Sequence, residues 1–293
     1  MTDYLFSSPD PPPVLYHYTS QQGLIGIVTN SCLWATDVYY LNDSSEHKYG
    51  EDLIKKAISK RKKKARGDTR KFFDEFAAYG GLFAETRFFI VSLTENGDLL
   101  SQWRAYTPDG NGFSLGFNVA GLQAVLSKRG EFNLVKCVYD ESEQEDYVNR
   151  LIDEVISQWK NLDEPAPTEP GTSRLGIYPP ALLRILCAFL APIFKSKAFY
   201  EEGEWRLIFT PNDAGKLKFR PGKSMLIPYI EANLAIEVDF ADDEEERGVI
   251  PIREVIVGPT PHAVLAMSAV RRLLASKHME ALIRMSDIPF RAW

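Results

Sequence analysis

Cysteine is scarce and scattered. Only Cys32, Cys137 and Cys187 occur among 293 residues, far apart and flanked mostly by apolar or aromatic neighbours. An odd, dispersed set excludes a disulfide framework and predicts buried, reduced thiols in a cytoplasmic protein. No CxxC or HxxxH spacing offers a zinc site, and the clustered Asp and His ligands of a metal-dependent nuclease or phosphodiesterase are missing, so no metal is expected. Long hydrophobic runs are missing as well. The greasiest segment, 181–194, is interrupted by Arg184 and Pro192 and is too short to cross a bilayer. It predicts a core helix, and no membrane partner is expected. The opening MTDYLFSSPDPPP has neither the basic nor the apolar region of a secretory signal.

Glycine signatures fail in the same way. Gly110, Gly112 and Gly116 are spaced G-x-G-x-x-x-G and run into a predicted strand, where a Rossmann turn needs a helix N-terminus. Gly222-Lys223-Ser224 resembles the end of a P-loop, but the first glycine of that motif falls on Leu217. No Ser or Cys sits in a nucleophile elbow. Positive charge is in deficit, with 34 Lys and Arg against 40 Asp and Glu, a net charge of −6. That excludes an electrostatic grip on nucleic acid by the whole surface and leaves only a local patch.

What is present is an ordinary globular composition, 45% apolar and 12% aromatic, enough for a core without staples. Residues 1–13 predict a flexible N-terminal tail, and 14–293 a single α+β domain. Strands are expected at 15–19, 33–41, 88–93, 113–117, 133–139, 204–209, 224–227, 235–240 and 254–257. Helices are expected at 21–29 with Ser20 as cap, from Ser45 onward, and at 72–83, 119–126, 148–162, 181–194 and 264–274. Asn42-Asp43 and Asp109-Gly110-Asn111-Gly112 read as turns, 162–173 as a Pro-rich internal loop, and the acidic 242–247 as a solvated loop. The run KKAISKRKKKARGDTRK, from Lys55, is the only concentrated positive charge. It reads first as a solvated helix end, and otherwise as a contact for a phosphate backbone or an acidic partner.

Three polar-aromatic islands carry the chemistry. The first holds His17-Tyr18-Thr19 and continues to Tyr39, Tyr40, Asn42 and Asp43; so many polar-tipped rings suit a pocket wall better than a buried strand. The second is Ser101-Gln102-Trp103-Arg104, and the third is YEEGEWRLIF, with Glu202 and Glu204 around Gly203. Residues two apart on a strand share a face, so both carboxylates point into one cleft if that strand begins early. Two acids there suit a positive charge developing on a sugar carbon. Each island alone has a plainer reading: a structural imidazole, a packed indole beside a salt-bridging guanidinium, an acidic edge strand.

As a set, LYHYTS…LWATDVYYLNDSSE, LLSQWRAY and EEGEWRLI resemble a family of uncharacterised bacterial domains, over about residues 15–274. More distantly, the layout is similar to the His-Tyr-Glu arrangement of ADP-ribosyltransferases. That resemblance implies mixed sheets around an NAD-binding cleft with added helices and no Gly-rich turn. It makes His17 the group that binds a ribose hydroxyl, with Thr19 beside it, and Tyr49 or Tyr40 the ring stacked on nicotinamide. Glu204 becomes the catalytic carboxylate, with Glu202 completing a Glu-x-Glu pair. The Trp103-Arg104 island is an addition those enzymes do not share, and there Arg104 is placed on the pyrophosphate. NAD is the implied substrate and an unknown protein or nucleic acid the implied acceptor, with water as the other outcome and a toxin or antiphage role as the setting. The competing expectation is a non-catalytic nucleotide or nucleic-acid binding module with an aromatic cleft and the basic run as its backbone contact.

Overall fold

A computed structural model of the protein describes residues 9–41, 44–78, 87–107, 112–128, 132–161, 172–173, 176–210, 217–222, 224–238 and 247–289. The first eight residues of the expected tail, the Asn42-Asp43 turn, positions 109–111 of the expected hairpin, residues 162–171 of the Pro-rich loop, Lys223 and residues 242–246 of the acidic loop lie outside them.

In chain order the elements begin with β1 (Val14–Ser20), α1 (Gln21–Asn30), β2 (Cys32–Asp37), α2 (Ser44–Lys64) and α3 (Gly67–Ala78). Then come β3 (Phe89–Thr94), α4 (Leu100–Tyr106), β4 (Gly112–Asn118), α5 (Val119–Ser127), β5 (Phe132–Lys136) and α6 (Glu141–Lys160). Two short strands, β6 (Thr172–Ser173) and β7 (Gly176–Ile177), precede α7 (Pro179–Leu190) and β8 (Glu204–Phe209). The remainder is β9 (Lys218–Pro221), β10 (Leu226–Asn233), β11 (Ile236–Val238), β12 (Arg247–Val249), β13 (Ile252–Val257), α8 (Ala263–Ala275) and β14 (Leu282–Met285). The protein is thus a mixed α and β structure, and the chain divides into two compact units built from interleaved stretches.

One unit takes 38–88 and 137–200 and is mainly helical. Its helices meet through apolar stripes at helical spacing: Ile54, Ala57 and Ile58 on α2, Phe72, Phe73 and Phe76 on α3, and Val148, Leu151, Ile152, Val155 and Ile156 on α6. Asp140 caps α6 by accepting from the Ser142 and Glu143 amides at 3.0 and 3.1 Å. The basic run spans the C-terminal half of α2 and the start of α3, and several of its cations are met by acids. Lys60 pairs with Glu145, Arg61 with Asp153, and Lys62 with Asp74 at 3.2 Å.

The other unit takes 9–37, 89–136 and the chain from 201 onward. It is organised by a ten-stranded mixed sheet in the order β14-β13-β4-β1-β3-β2-β10-β9, with β8 on β3 and β5 on β8. β13 and β14 run parallel; the other pairings of this sheet are antiparallel. Strand alternation separates two faces. Leu15, Val91, Leu93, Leu115, Phe117, Trp205, Leu207 and Val255 point to the core, which α1, α5 and α8 complete with Leu24, Ile27, Leu122, Val270 and Leu274. The opposite face carries the intervening residues, Tyr16, Tyr18, Ser92, Thr94, Ser114, Glu204, Arg206 and Glu254. A polar face on a large sheet is where a site belongs.

Strand β3 is the junction. β8 pairs along it from Phe89↔Phe209 to Thr94↔Glu204, occupying one edge. β1 and β2 share the other edge, β1 at Tyr16↔Thr94 and β2 at Thr36↔Ile90 and Asp37↔Phe89. The sheet therefore opens between them.

Several boundaries differ from expectation. The strand expected to reach residue 41 ends at Asp37, and Val38–Tyr40 form a 3-10 turn whose first amide donates to the Phe88 carbonyl. The strand expected through 139 ends at Lys136. β9, β14 and α4 were not expected at all. β10 starts later than expected and runs through Pro228, which pairs with Phe219 of β9 where β2 has not yet joined, so the missing N–H breaks no bond to β2.

Candidate active site

Strand β1 begins the site. Ser20 ends it and starts α1, its hydroxyl accepting from the Gly23 amide at 3.1 Å. Alternation groups His17 with Leu15 on the core side, yet its ring lies at the opening beside β3. There Nδ1 meets the Ser92 carbonyl oxygen at 3.0 Å, a group that no β1 amide reaches beyond the Tyr16–Thr94 pair. A carbonyl oxygen only accepts, so Nδ1 carries the proton and Nε2 of the neutral ring is an acceptor. Burial pushes the imidazole pKa below its ordinary value, opposed by the bond to Ser92. His17 is thus held neutral with a defined tautomer.

Strand β8 supplies the acids. Glu204 and Arg206 are buried on the polar face, and the guanidinium clasps the carboxylate through Nε–Oε1 at 2.7 Å and Nη2–Oε2 at 3.1 Å. Glu202 does not reach the site by pleat alternation as expected, because the strand starts only at Glu204. Gly203 has φ +50°, a left-handed turn that suits glycine. Thr94 Oγ1 donates to the Glu202 carbonyl at 2.5 Å and the Glu95 amide to that of Gly203 at 3.2 Å, fixing the turn against β3.

Helix α4 closes the site, and helical spacing decides which of its residues face it. Gln102 and Tyr106, one turn apart, line the pocket. Trp103 points the other way and is completely buried, edge-on to Tyr18 at 4.7 Å, with its indole N–H donating to Asp98 at 2.7 Å. Arg104 is exposed on α4. Neither Trp103 nor Arg104 is a wall of the pocket; the second island contributes Gln102 and Tyr106 in their place. Asp98 also accepts from Ser286 Oγ and the Asp287 amide, so the start of α4 is tied to the segment after β14.

The resulting pocket has a volume of about 60 Å³ and is lined by Tyr16, His17, Tyr18, Ser92, Leu93, Thr94, Gln102, Tyr106, Glu202 and Glu204. His17, Glu202 and Glu204 are brought together. Thr19 faces α1 with its side chain against Gly23, and Tyr40 and Tyr49 belong to the helical unit, where the Tyr49 hydroxyl donates to Gln144 at 2.8 Å. Behind the pocket Tyr16 donates to Glu254 at 2.6 Å, and Arg284 pairs with the same carboxylate at 3.0 Å. Burial and that acid push the Tyr16 phenol up to about 12. Gly116 makes the contact possible, since a Cβ there would lie 2.9 Å from the Tyr16 ring and from Glu254 Cγ.

Residues 102–207 match the model of a family described as a protein of unknown function (DUF2971). The stretch begins inside the second island and ends inside the third, which supports the likeness to an uncharacterised family there. No curated protein matches the chain.

Tyr106 and Gln102 were missed as pocket residues because α4 was not read as a helix. Leu99, Leu100 and Trp103 carried the signal, an apolar i, i+1, i+4 set too short to stand out. All three cysteines are buried and form no disulfide. Among the described residues no group of His, Cys, Asp and Glu is arranged to hold a metal, and no helix is long and apolar enough to cross a membrane.

Proposed function

We propose that this pocket receives the edge of NAD at its nicotinamide–ribose bond and cleaves that bond, passing ADP-ribose to a macromolecule or to water in the manner of ADP-ribosyltransferases. The observation that carries the reading is the meeting of His17 and Glu204, distant in sequence, in one pocket beside Glu202. Loss of neutral nicotinamide leaves positive charge on the ribose carbon, and a fixed carboxylate stabilises it most where the charge is greatest. Glu204 fills that role, with Arg206 bonded to both of its oxygens and setting the orientation of the carboxylate. Nε2 of His17 accepts a ribose hydroxyl, and Glu202 faces the acceptor. Tyr106, 38% exposed and on the pocket wall, takes the stacking role in place of Tyr49 or Tyr40. A volume of about 60 Å³ is small beside the roughly 150 Å³ cavity that takes a benzene ring, so only the ribose edge at the reacting carbon enters, and the nicotinamide, diphosphate and adenosine lie across its mouth.

The test is incubation of the purified protein with NAD and chromatographic measurement of free nicotinamide. Glu204→Gln lowers the release rate by roughly 10²–10³ with NAD affinity little changed. His17→Ala weakens NAD binding as well. Release at the wild-type rate from Glu204→Gln, or none from the wild type, ends this mechanism.

A further inference from the structure

On the same polar face of the sheet, at the β2–β10–β9 end, lies a second cluster. Trp34 of β2 stands across from Glu231 of β10, and its indole overlies Tyr229 at 4.6 Å with the planes tilted by 35°. Arg220 of β9 reaches over β10 to β2, where Nη2 donates to Thr36 Oγ1 at 3.0 Å. Its Cζ lies 5.8 Å from the Trp34 ring centre. Trp34 nevertheless keeps 43% of its surface exposed.

The guanidinium is under-partnered. Of its five N–H groups only the one on Thr36 meets an acceptor among the described residues, and Nε is buried with none. The nearby carboxylate, Glu231, is taken by Lys218 at 2.6 Å. Burial lowers the Arg220 pKa, with only the Tyr229 hydroxyl acting in the other direction. A half-buried cation with no counter-ion among the described residues is costly, and an incoming oxyanion offsets that cost through charge-assisted hydrogen bonds. A planar ring on the open part of the indole adds stacking, which is tolerant of base identity.

We propose that Arg220 and Trp34 form a nucleotide-binding site, Arg220 receiving a phosphate oxygen and Trp34 the base. The site is separate from the His17–Glu204 pocket. Thr36 pairs with Ile90 and Tyr16 with Thr94, so the two lie four β3 residues apart, about 13 Å along the strand. The ligand is a free mononucleotide or the 5′-phosphorylated end of a nucleic-acid strand.

Calorimetric titration with AMP, adenosine and a 5′-phosphorylated oligothymidylate tests it, with thermal melting as the control for folding. AMP or the oligonucleotide binds and adenosine does not; which of the two binds identifies the source. Arg220→Gln weakens that binding by roughly 10- to 100-fold, Trp34→Ala weakens it and Trp34→Phe largely restores it, while His17→Ala binds as the wild type does. Absence of binding by both phosphorylated probes overturns the proposal. So do adenosine binding as tightly as AMP, and loss of AMP binding in His17→Ala but not in Arg220→Gln. The last result places the nucleotide in the other pocket and leaves the NAD reading standing.

Discussion

Glu204→Gln perturbs stability before it perturbs chemistry, because the carboxylate it removes is half of a buried ion pair. The side chains of Arg206 and Glu204 are 3% and 6% exposed, and both carboxylate oxygens are engaged, at 2.7 and 3.1 Å. Removing one partner of such a pair costs about 3–5 kcal/mol, since the surviving charge stays in the protein with its paired carboxylate gone. Glutamine keeps one acceptor oxygen for the guanidinium, so the lower end, about 3 kcal/mol, is expected. With a urea slope of about 2–3 kcal/mol/M, the unfolding midpoint moves down by about 1–1.5 M. Glu204→Leu combined with Arg206→Met removes both charges and fills much of the space, so it recovers most of the loss, as buried pairs replaced by apolar residues commonly do. Urea titration followed by tryptophan fluorescence reads this directly, because Trp205 lies between the two residues and is buried. A wild-type midpoint for Glu204→Gln, or a double variant no more stable than the single one, refutes the reasoning. Nicotinamide release by Glu204→Gln is therefore compared well below its melting temperature, where a folded variant isolates the catalytic effect.

Three further outcomes are expected. The pKa of His17 is lower in the folded protein than its ordinary 6.5, so below that pH the unfolded chain binds the extra proton. Stability is full above about pH 6.5 and falls as pH drops toward the folded value, by up to about 1.4 kcal/mol per unit; His17→Asn shows a shallower loss in melts at pH 7.5 and 5.5, and equal slopes exclude a buried neutral imidazole. Neutralising Lys62, Lys63 and Lys64 leaves the melting temperature close to that of the wild type, since Lys62–Asp74 is an exposed pair. Salt-dependent binding of RNA that this change abolishes makes the basic run an interface. Gly116→Ala forces the Tyr16 ring off its 2.6 Å bond to Glu254 and costs about 1–3 kcal/mol; a variant as stable as the wild type, with the Tyr16 phenol still titrating near 12, shows that the ring has room to move.

Much of the architecture was legible because it is local. Ser20 before an apolar helical pattern, FFIVSL, EWRLIF and the Val148–Ile156 stripe of α6 each encode their element through spacing and capping, which depend on neighbours in the chain. The three islands were visible for the same reason, as clusters of polar and aromatic residue types unusual for the elements that hold them. Tertiary structure alone decided how they meet. β3 receives β8 on one edge and shares the other between β1 and β2, which opens the sheet beside His17 and brings Glu204 to it; no spacing in the sequence contains a pairing between distant strands. The rotation of α4 settled that Gln102 and Tyr106 face the pocket while Trp103 packs on Tyr18. Gly203 brought Glu202 in by a left-handed turn instead of by pleat alternation. Even the basic run acquired its meaning from its neighbours, because Glu145 and Asp153 of α6 stand opposite Lys60 and Arg61 only once the helices pack. A sequence specifies which side chains are unusual for their element, while the long-range pairing of those elements specifies which of them share a volume, because that volume is bounded by residues the chain itself keeps far apart.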